Sequence, residues 1–167
     1  MLPGNIQMPG GLSLRPTRAS DNGFLESLHS ATRDDLRLVD AENDFIEDLI
    51  DMQFRAKTEG YGDMFPNAMY FIIENQGESI GRVVLDFGHN EIRVIDLALI
   101  RLARGKGFGA KTLQAVQLVA AKIMAPVALT VVSYNLQAKM LYLNLGFRVE
   151  EINLPFERMV WYPTLQH

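Results

Sequence analysis

The 167-residue chain contains no cysteine. Disulfides, thiolate metal sites and cysteine nucleophiles are therefore excluded. Its three histidines, His29, His89 and His167, lack the spacing of a metal site, so no metal is expected. No apolar run approaches the roughly 18 residues that a membrane span requires, so no membrane partner is expected. The opening Met1-Leu2-Pro3-Gly4 has neither the basic nor the apolar stretch of a secretory leader, which leads us to expect a cytoplasmic protein. Basic charge is not in excess either: 16 Lys and Arg stand against 20 Asp and Glu, a net charge of −4. That balance argues against nucleic acid as a partner and is compatible with a cationic amine. Repeats and low-complexity linkers are also absent. The length suits one domain with one core, and 48% apolar residues can fill it.

What is present is one glycine-rich stretch, Arg104-Gly105-Lys106-Gly107-Phe108-Gly109, followed at once by Ala110-Lys111-Thr112-Leu113. A β-branched and apolar run (Ile92, Val94, Ile95, Leu97, Leu99) precedes it, and a helical apolar pattern (Leu113, Val116, Val119, Ala120, Ile123) follows. The stretch thus joins a strand to the start of a helix, a place that suits an anion. Glycine admits close backbone approach and positive φ. The first helical N–H groups lack acceptors and carry the positive end of the helix dipole, so a pyrophosphate there gains several bonds together.

Three phosphate-binding patterns compete. A P-loop needs Gly-Lys-Ser/Thr at its end, and Gly107 is followed by Phe108. A dinucleotide fingerprint needs a different glycine spacing and a later acidic residue, which the strand candidate at 127–132 does not supply. The third pattern, Arg/Gln-x-x-Gly-x-Gly/Ala, is met in full by residues 104–109. It resembles the pyrophosphate loop of the acyl-CoA-dependent N-acetyltransferases of the GNAT superfamily. A second stretch strengthens the resemblance. Asn135-Leu136-Gln137-Ala138-Lys139-Met140-Leu141-Tyr142-Leu143-Asn144-Leu145-Gly146-Phe147 resembles that superfamily's Asn-x-x-Ala-x-x-x-Tyr-x-x-x-Gly-Phe signature at every marked position. The resemblance covers about residues 80–162 and fades over 1–65.

Periodicity and turn chemistry predict the elements. Residues 1–11 are Gly- and Pro-rich and are expected to be a flexible N-terminus, leaving one domain over 12–167. A first edge strand is predicted at 12–16. A helix capped by Ser20 or Asp21 should follow, then a second helix capped by Asn43 or Asp44 and carrying Phe45, Ile46, Leu49, Ile50, Met52 and Phe54. Strands are predicted at 68–74, 79–87 and 91–100, a helix at 108–124, a strand at 127–132, a helix at 135–145, and strands at 147–152 and 156–162. The order, β-α-α-β-β-β-α-β-α-β-β, is the topology of the resembled superfamily. The resemblance therefore implies an α/β, single-domain GNAT fold, with a central mixed, mostly antiparallel twisted sheet of six to seven strands flanked by about four helices.

It also implies a reaction, acetyl transfer from acetyl-CoA to a primary amine, without a metal. Acetyl-CoA is expected to be held by the loop backbone from Gly105 through Lys106, Gly107, Phe108 and Gly109 to Ala110. Arg104 adds charge or braces the loop, Lys106 is either a phosphate contact or simply solvated, and Phe108 is expected in the core. In the resembled family the backbone of the preceding strand, here Leu97, Ala98 and Leu99, pairs with the pantetheine amides and supplies an oxyanion donor. Tyr142 is the candidate acid, because a phenol is protonated at neutral pH and can donate to the departing thiolate; the alternative is a packed aromatic. Asn135 caps the last helix, contacts CoA, or does both. Gly146 and Phe147 read as structural.

Asp96 is the candidate base. It is an acid inside an apolar strand, and such a carboxylate needs a partner or a purpose. The alternative is an ion pair with Arg82 or Arg93. In the resembled fold the acceptor sits between the first two helices, the hairpin strands and the last strands, which makes Phe54, Arg55, Tyr61, Tyr70 and Trp161 candidate pocket residues, the alternative for each being core or rim. Glu47, Asp48 and Asp51 form an acidic patch that either attracts a cation or is merely solvated. The partner is thus a small-molecule or peptide amine, attacking directly because no cysteine can carry the acetyl group. A non-catalytic acyl-CoA-binding module, or an enzyme using a longer acyl-CoA, are the alternatives. Homodimers are common in the resembled family, and no residue here decides the point.

Overall fold

The computed structural model describes residues 6–7, 11–38 and 67–164. Along them run β1 (Ile6–Gln7), β2 (Leu12–Pro16), α1 (Asn22–Leu38), β3 (Ala68–Asn75), β4 (Glu78–Phe87), β5 (Ile92–Leu99), α2 (Phe108–Lys122), β6 (Val127–Val132), α3 (Leu136–Asn144), β7 (Arg148–Asn153) and β8 (Phe156–Trp161). The strands form one sheet in the order β1-β2-β3-β4-β5-β6-β8-β7. Only the β5–β6 pair is parallel, joined by the α2 crossover; the other neighbours are antiparallel. This is the mixed, mostly antiparallel α/β fold expected.

Boundaries fall close to those read from sequence, with two differences. Ile6 and Gln7, inside the Gly- and Pro-rich N-terminus, pair with Leu14 and Ser13 and add an eighth, two-residue strand at the sheet edge. The helix predicted to reach residue 124 stops at Lys122. Met124 takes a left-handed φ of 56°, and the Ala125 N–H returns to the Ala120 carbonyl, closing the last turn before Pro126. The second predicted helix, with Phe45 to Phe54, lies outside the described residues.

One face of the sheet supplies most of the core: Leu12, Leu14, Phe71, Ile73, Val83, Leu85, Ile92, Val94, Leu129 and Met159 pack with Leu113, Val116 and Ala120 of α2. At about 25 cal/mol per Å² of apolar surface, this layer dominates the favourable side of folding. A bulge in β5 makes the face-switching legible. Val84 pairs with Asp96 and Leu85 with Val94, so Ile95 has no partner. Ile92 and Val94 before it, and Leu97 and Leu99 after it, therefore reach the same core, while Ile95 joins Val84 in a separate cluster. The two-residue alternation shifts by one at Ile95, which turns Asp96 away from the main core. α1 lies against β4 and β5, with Leu28 buried.

Candidate functional site

The loop after β5 is built on two left-handed glycines, Gly105 (φ 73°) and Gly107 (φ 84°). Gly107 is the N-cap of α2 and supplies no capping side chain. The first helical bond runs from the Lys111 N–H to the Gly107 carbonyl, 3.0 Å. The N–H groups of Phe108, Gly109 and Ala110 thus have no acceptor within the helix. An uncapped helix start preceded by small, exposed residues presents several donors and a positive dipole end to one anion. Arg104 turns back, its Nε donating to the Leu99 carbonyl at 3.1 Å, so it ties the loop to the end of β5. Lys106 is exposed, whereas Phe108 packs on the core as expected. The Lys111 ammonium lies 5.9 Å from the Phe108 ring centre.

Beside the loop the sheet opens. β5 and β6 are paired only at Ile92–Val127, Arg93–Ala128 and Val94–Leu129. From Asp96 to Leu99, β5 remains bonded to β4 on its other edge, through Gly81 to Val84. Its edge toward β6 has no strand partner there among the described residues. By alternation Leu97 and Leu99 therefore turn backbone groups to that open edge, where the Leu99 carbonyl already accepts from Arg104. Ala98, expected with them, instead directs its carbonyl toward Gly81 of β4. The Leu97 and Leu99 side chains are committed to the core. Gly81 permits this arrangement: a Cβ on it would lie 2.4 Å from the Ala98 carbonyl oxygen.

α3 follows β6 and carries Tyr142. Asn135 is its N-cap, the side-chain oxygen accepting from the Ala138 N–H at 3.1 Å, so the capping role is present. Tyr142 is half-buried and tilted at 60° against Phe147, with ring centres 6.1 Å apart. Burial pushes its phenol above the ordinary value of 10.0, and the negative charge of Asp96 adds to the rise. The two candidates, one from the second motif and one from an apolar strand, are thus brought within electrostatic reach. Of the alternatives for Asp96, the ion pair is present: Arg82 on β4 donates to its carboxylate, with both side chains about nine-tenths buried. Arg93 instead bonds Glu91.

Other residues sort plainly. Tyr70 is exposed on β3 and Trp161 packs against the core. Phe54, Arg55, Tyr61, Glu47, Asp48 and Asp51 lie outside the described residues. An open cleft is lined by Glu26, Ser27, Ser30 and Ala31 of α1 together with Arg101, none of which the sequence singled out. Sequence reading also passed over Glu157 and Gln117, and it places Glu91 as a surface turn residue at the start of β5. Arg158 bonds both oxygens of Glu91, at 3.2 and 2.6 Å, and holds its carboxyl below the usual range. Their signal was a charged or amide residue in an otherwise apolar strand or helix face. Among the described residues no group of His, Asp and Glu could hold a metal, and no helix is long and apolar enough to cross a membrane.

Comparison with known proteins adds family information. A family model described as an acetyltransferase (GNAT) domain matches residues 66–149. No curated protein matches the sequence significantly. Solved structures share the fold. One is the PaiA N-acetyltransferase of Thermoplasma acidophilum in complex with coenzyme A, 18% identical, covering 90% of this chain and 98% of its own, with a TM-score of 0.63. Another is the spermidine N-acetyltransferase of Vibrio cholerae in complex with CoA and spermine, 22% identical, covering 91% and 95%, TM-score 0.64. A third is RimL, a ribosomal L7/L12 α-N-protein acetyltransferase in complex with coenzyme A, 14% identical, covering 95% and 98%, TM-score 0.67.

Proposed function

The chain belongs to the GNAT acetyltransferase family, and from that premise we propose that it transfers an acetyl group from acetyl-CoA to a primary amine by direct attack. The observation that carries the reading is the uncapped start of α2 on left-handed Gly107, set beside the unpaired edge of β5. Together they fit a ligand with a pyrophosphate at one end and extended amides at the other. The relatives named above bind CoA, and they act on a polyamine in one case and a protein N-terminus in another; the acceptor here belongs to that broad class of amines.

In this reading the N–H groups at 108–110 bind the pyrophosphate, with Gly105, Lys106 and Gly107 forming its wall and Arg104 bracing the loop. Leu97 and Leu99 align the thioester through their backbone on the open edge of β5, and a β5 N–H stabilises charge developing on the carbonyl oxygen. The amine attacks, the C–S bond breaks, and Tyr142 gives its phenolic proton to sulfur. Burial supports that role by keeping the phenol protonated at neutral pH. Tyr142 recovers a proton from solvent as the new amide sheds one. The Asp96 carboxylate is engaged by Arg82; it acts as a fixed negative charge beside the reaction and takes the amine proton only through a water. Asn135 keeps α3 in register.

Thiol release from acetyl-CoA is the test, assayed across polyamines, amino acids and peptide N-termini. Tyr142→Phe should retain acetyl-CoA affinity and lose about a hundredfold in turnover. Binding without thiol release for any amine favours the non-catalytic module, and preference for a longer thioester in a donor panel favours the other acyltransferase.

A further inference from the structure

The helix that carries Tyr142 is held in an unusual way. α3 has nine residues and none of them is buried. A helix this short has little stability of its own in water. Its apolar contacts are partial, through Ala138, Tyr142 and Leu143, while Leu136 and Met140 are 69% and 56% exposed. Polar contacts from other elements supply the rest. At its start, the Lys139 ammonium lies 3.0 Å from a carboxylate oxygen of Glu157 on β8, the carboxylate side chain being only 8% exposed. At its end, the Gln117 amide of α2 donates to the Leu145 carbonyl at 2.9 Å, and Arg148 donates to the Leu143 carbonyl at 3.1 Å.

Glu157 is the fixed member of the first clamp. β8 lies between β6 and β7, and Glu157 is paired with Val131 on one side and Ile152 on the other. Lys139 holds its carboxyl below the usual range, so it is ionised at neutral pH. A carboxylate among core residues needs a reason, and acetyl transfer as described makes no use of it. Lys139 precedes Tyr142 by three residues, so the two side chains lie on adjoining turns of one helical surface.

We propose that Glu157 and Lys139 are positioning residues for Tyr142: their ion pair sets where α3 sits over the sheet, and so how far the phenol reaches. The proposal rests on the reading of Tyr142 as proton donor. The pair never touches the thioester; it acts through the helix.

The test is a double-mutant cycle read by thiol release from acetyl-CoA with water as acceptor, which needs no knowledge of the natural amine, alongside calorimetric acetyl-CoA affinity. Glu157→Gln should slow thiol release about tenfold with affinity unchanged. In a Tyr142→Phe background it should cost nothing more, and Lys139→Arg should stay near the parent rate. Should Glu157→Gln not fold, Lys139→Met with Glu157→Leu removes both charges and is read in the same way. An equal loss in both backgrounds, or no loss at all, overturns the positioning role and leaves Tyr142 as donor. A parent whose thiol release is undiminished by Tyr142→Phe overturns the donor reading itself and this inference with it; if the parent releases none to water, the same cycle is read with the amine that supports release.

Discussion

Burial and, after it, the negative charge of Asp96 on β5 raise the pKa of Tyr142 on α3, two residues separated by 46 positions. The same carboxylate is paired with Arg82. Asp96→Asn should therefore do two things. Tyr142 should titrate closer to 10.0, followed by tyrosine ring NMR. The buried Arg82 should lose its partner, at a cost of about 3 kcal/mol in denaturant unfolding. A matched apolar exchange, Arg82→Met with Asp96→Leu, should recover most of that stability.

Gly107 holds a φ of 84° with open space where a Cβ would stand. Gly107→Ala should fold with a loss of about 1 kcal/mol from the left-handed conformation. Gly107→Glu should fold comparably and lose acetyl-CoA binding, because its carboxylate would occupy the place of the pyrophosphate.

Gly81 is constrained by space rather than by φ. A Cβ would lie 2.4 Å from the Ala98 oxygen and 2.8 Å from Leu99 Cδ2. Gly81→Ala must push β4 from β5, costing about 2 kcal/mol. Because β5 carries the edge proposed to pair with pantetheine, acetyl-CoA affinity should fall together with the melting temperature.

Acid sensitivity should trace to Asp21. Two bonds from Arg15, at 2.9 and 2.7 Å, and one from the Arg18 N–H lower its carboxyl from 3.8 to about 2. A depressed folded value means that its stabilisation is full above pH 3.8 and is lost as pH falls toward 2. Asp21→Asn should be less stable than the parent at neutral pH, and acid unfolding curves should show the gap closing across that window.

The glycine loop, the Asn135 cap and nearly every element boundary were legible because each follows from local chemistry: positive φ, orphan N–H groups, apolar period. The fold's second motif was equally local, spanning residues 135–147. The partner of Asp96 was not legible. Arg82 and Arg93 were both within range, and the choice depended on the Ile95 bulge, which shifts side-chain parity in mid-strand. Lys139–Glu157 and Gln117–Leu145 were missed for a related reason: they join elements 18 and 28 residues apart, and no local pattern announces such contacts. β1 escaped notice because Ile6–Gln7 is too short to show alternation and lies among turn-forming residues.

The central claim is that the start of α2 and the free edge of β5 hold acetyl-CoA. Calorimetric titration with acetyl-CoA, CoA and NAD, repeated on Gly107→Glu, tests it most directly. The account predicts micromolar binding of both CoA species, none of NAD, and loss of binding in the variant. Failure of the parent to bind either CoA species, or undiminished binding by folded Gly107→Glu, would contradict it.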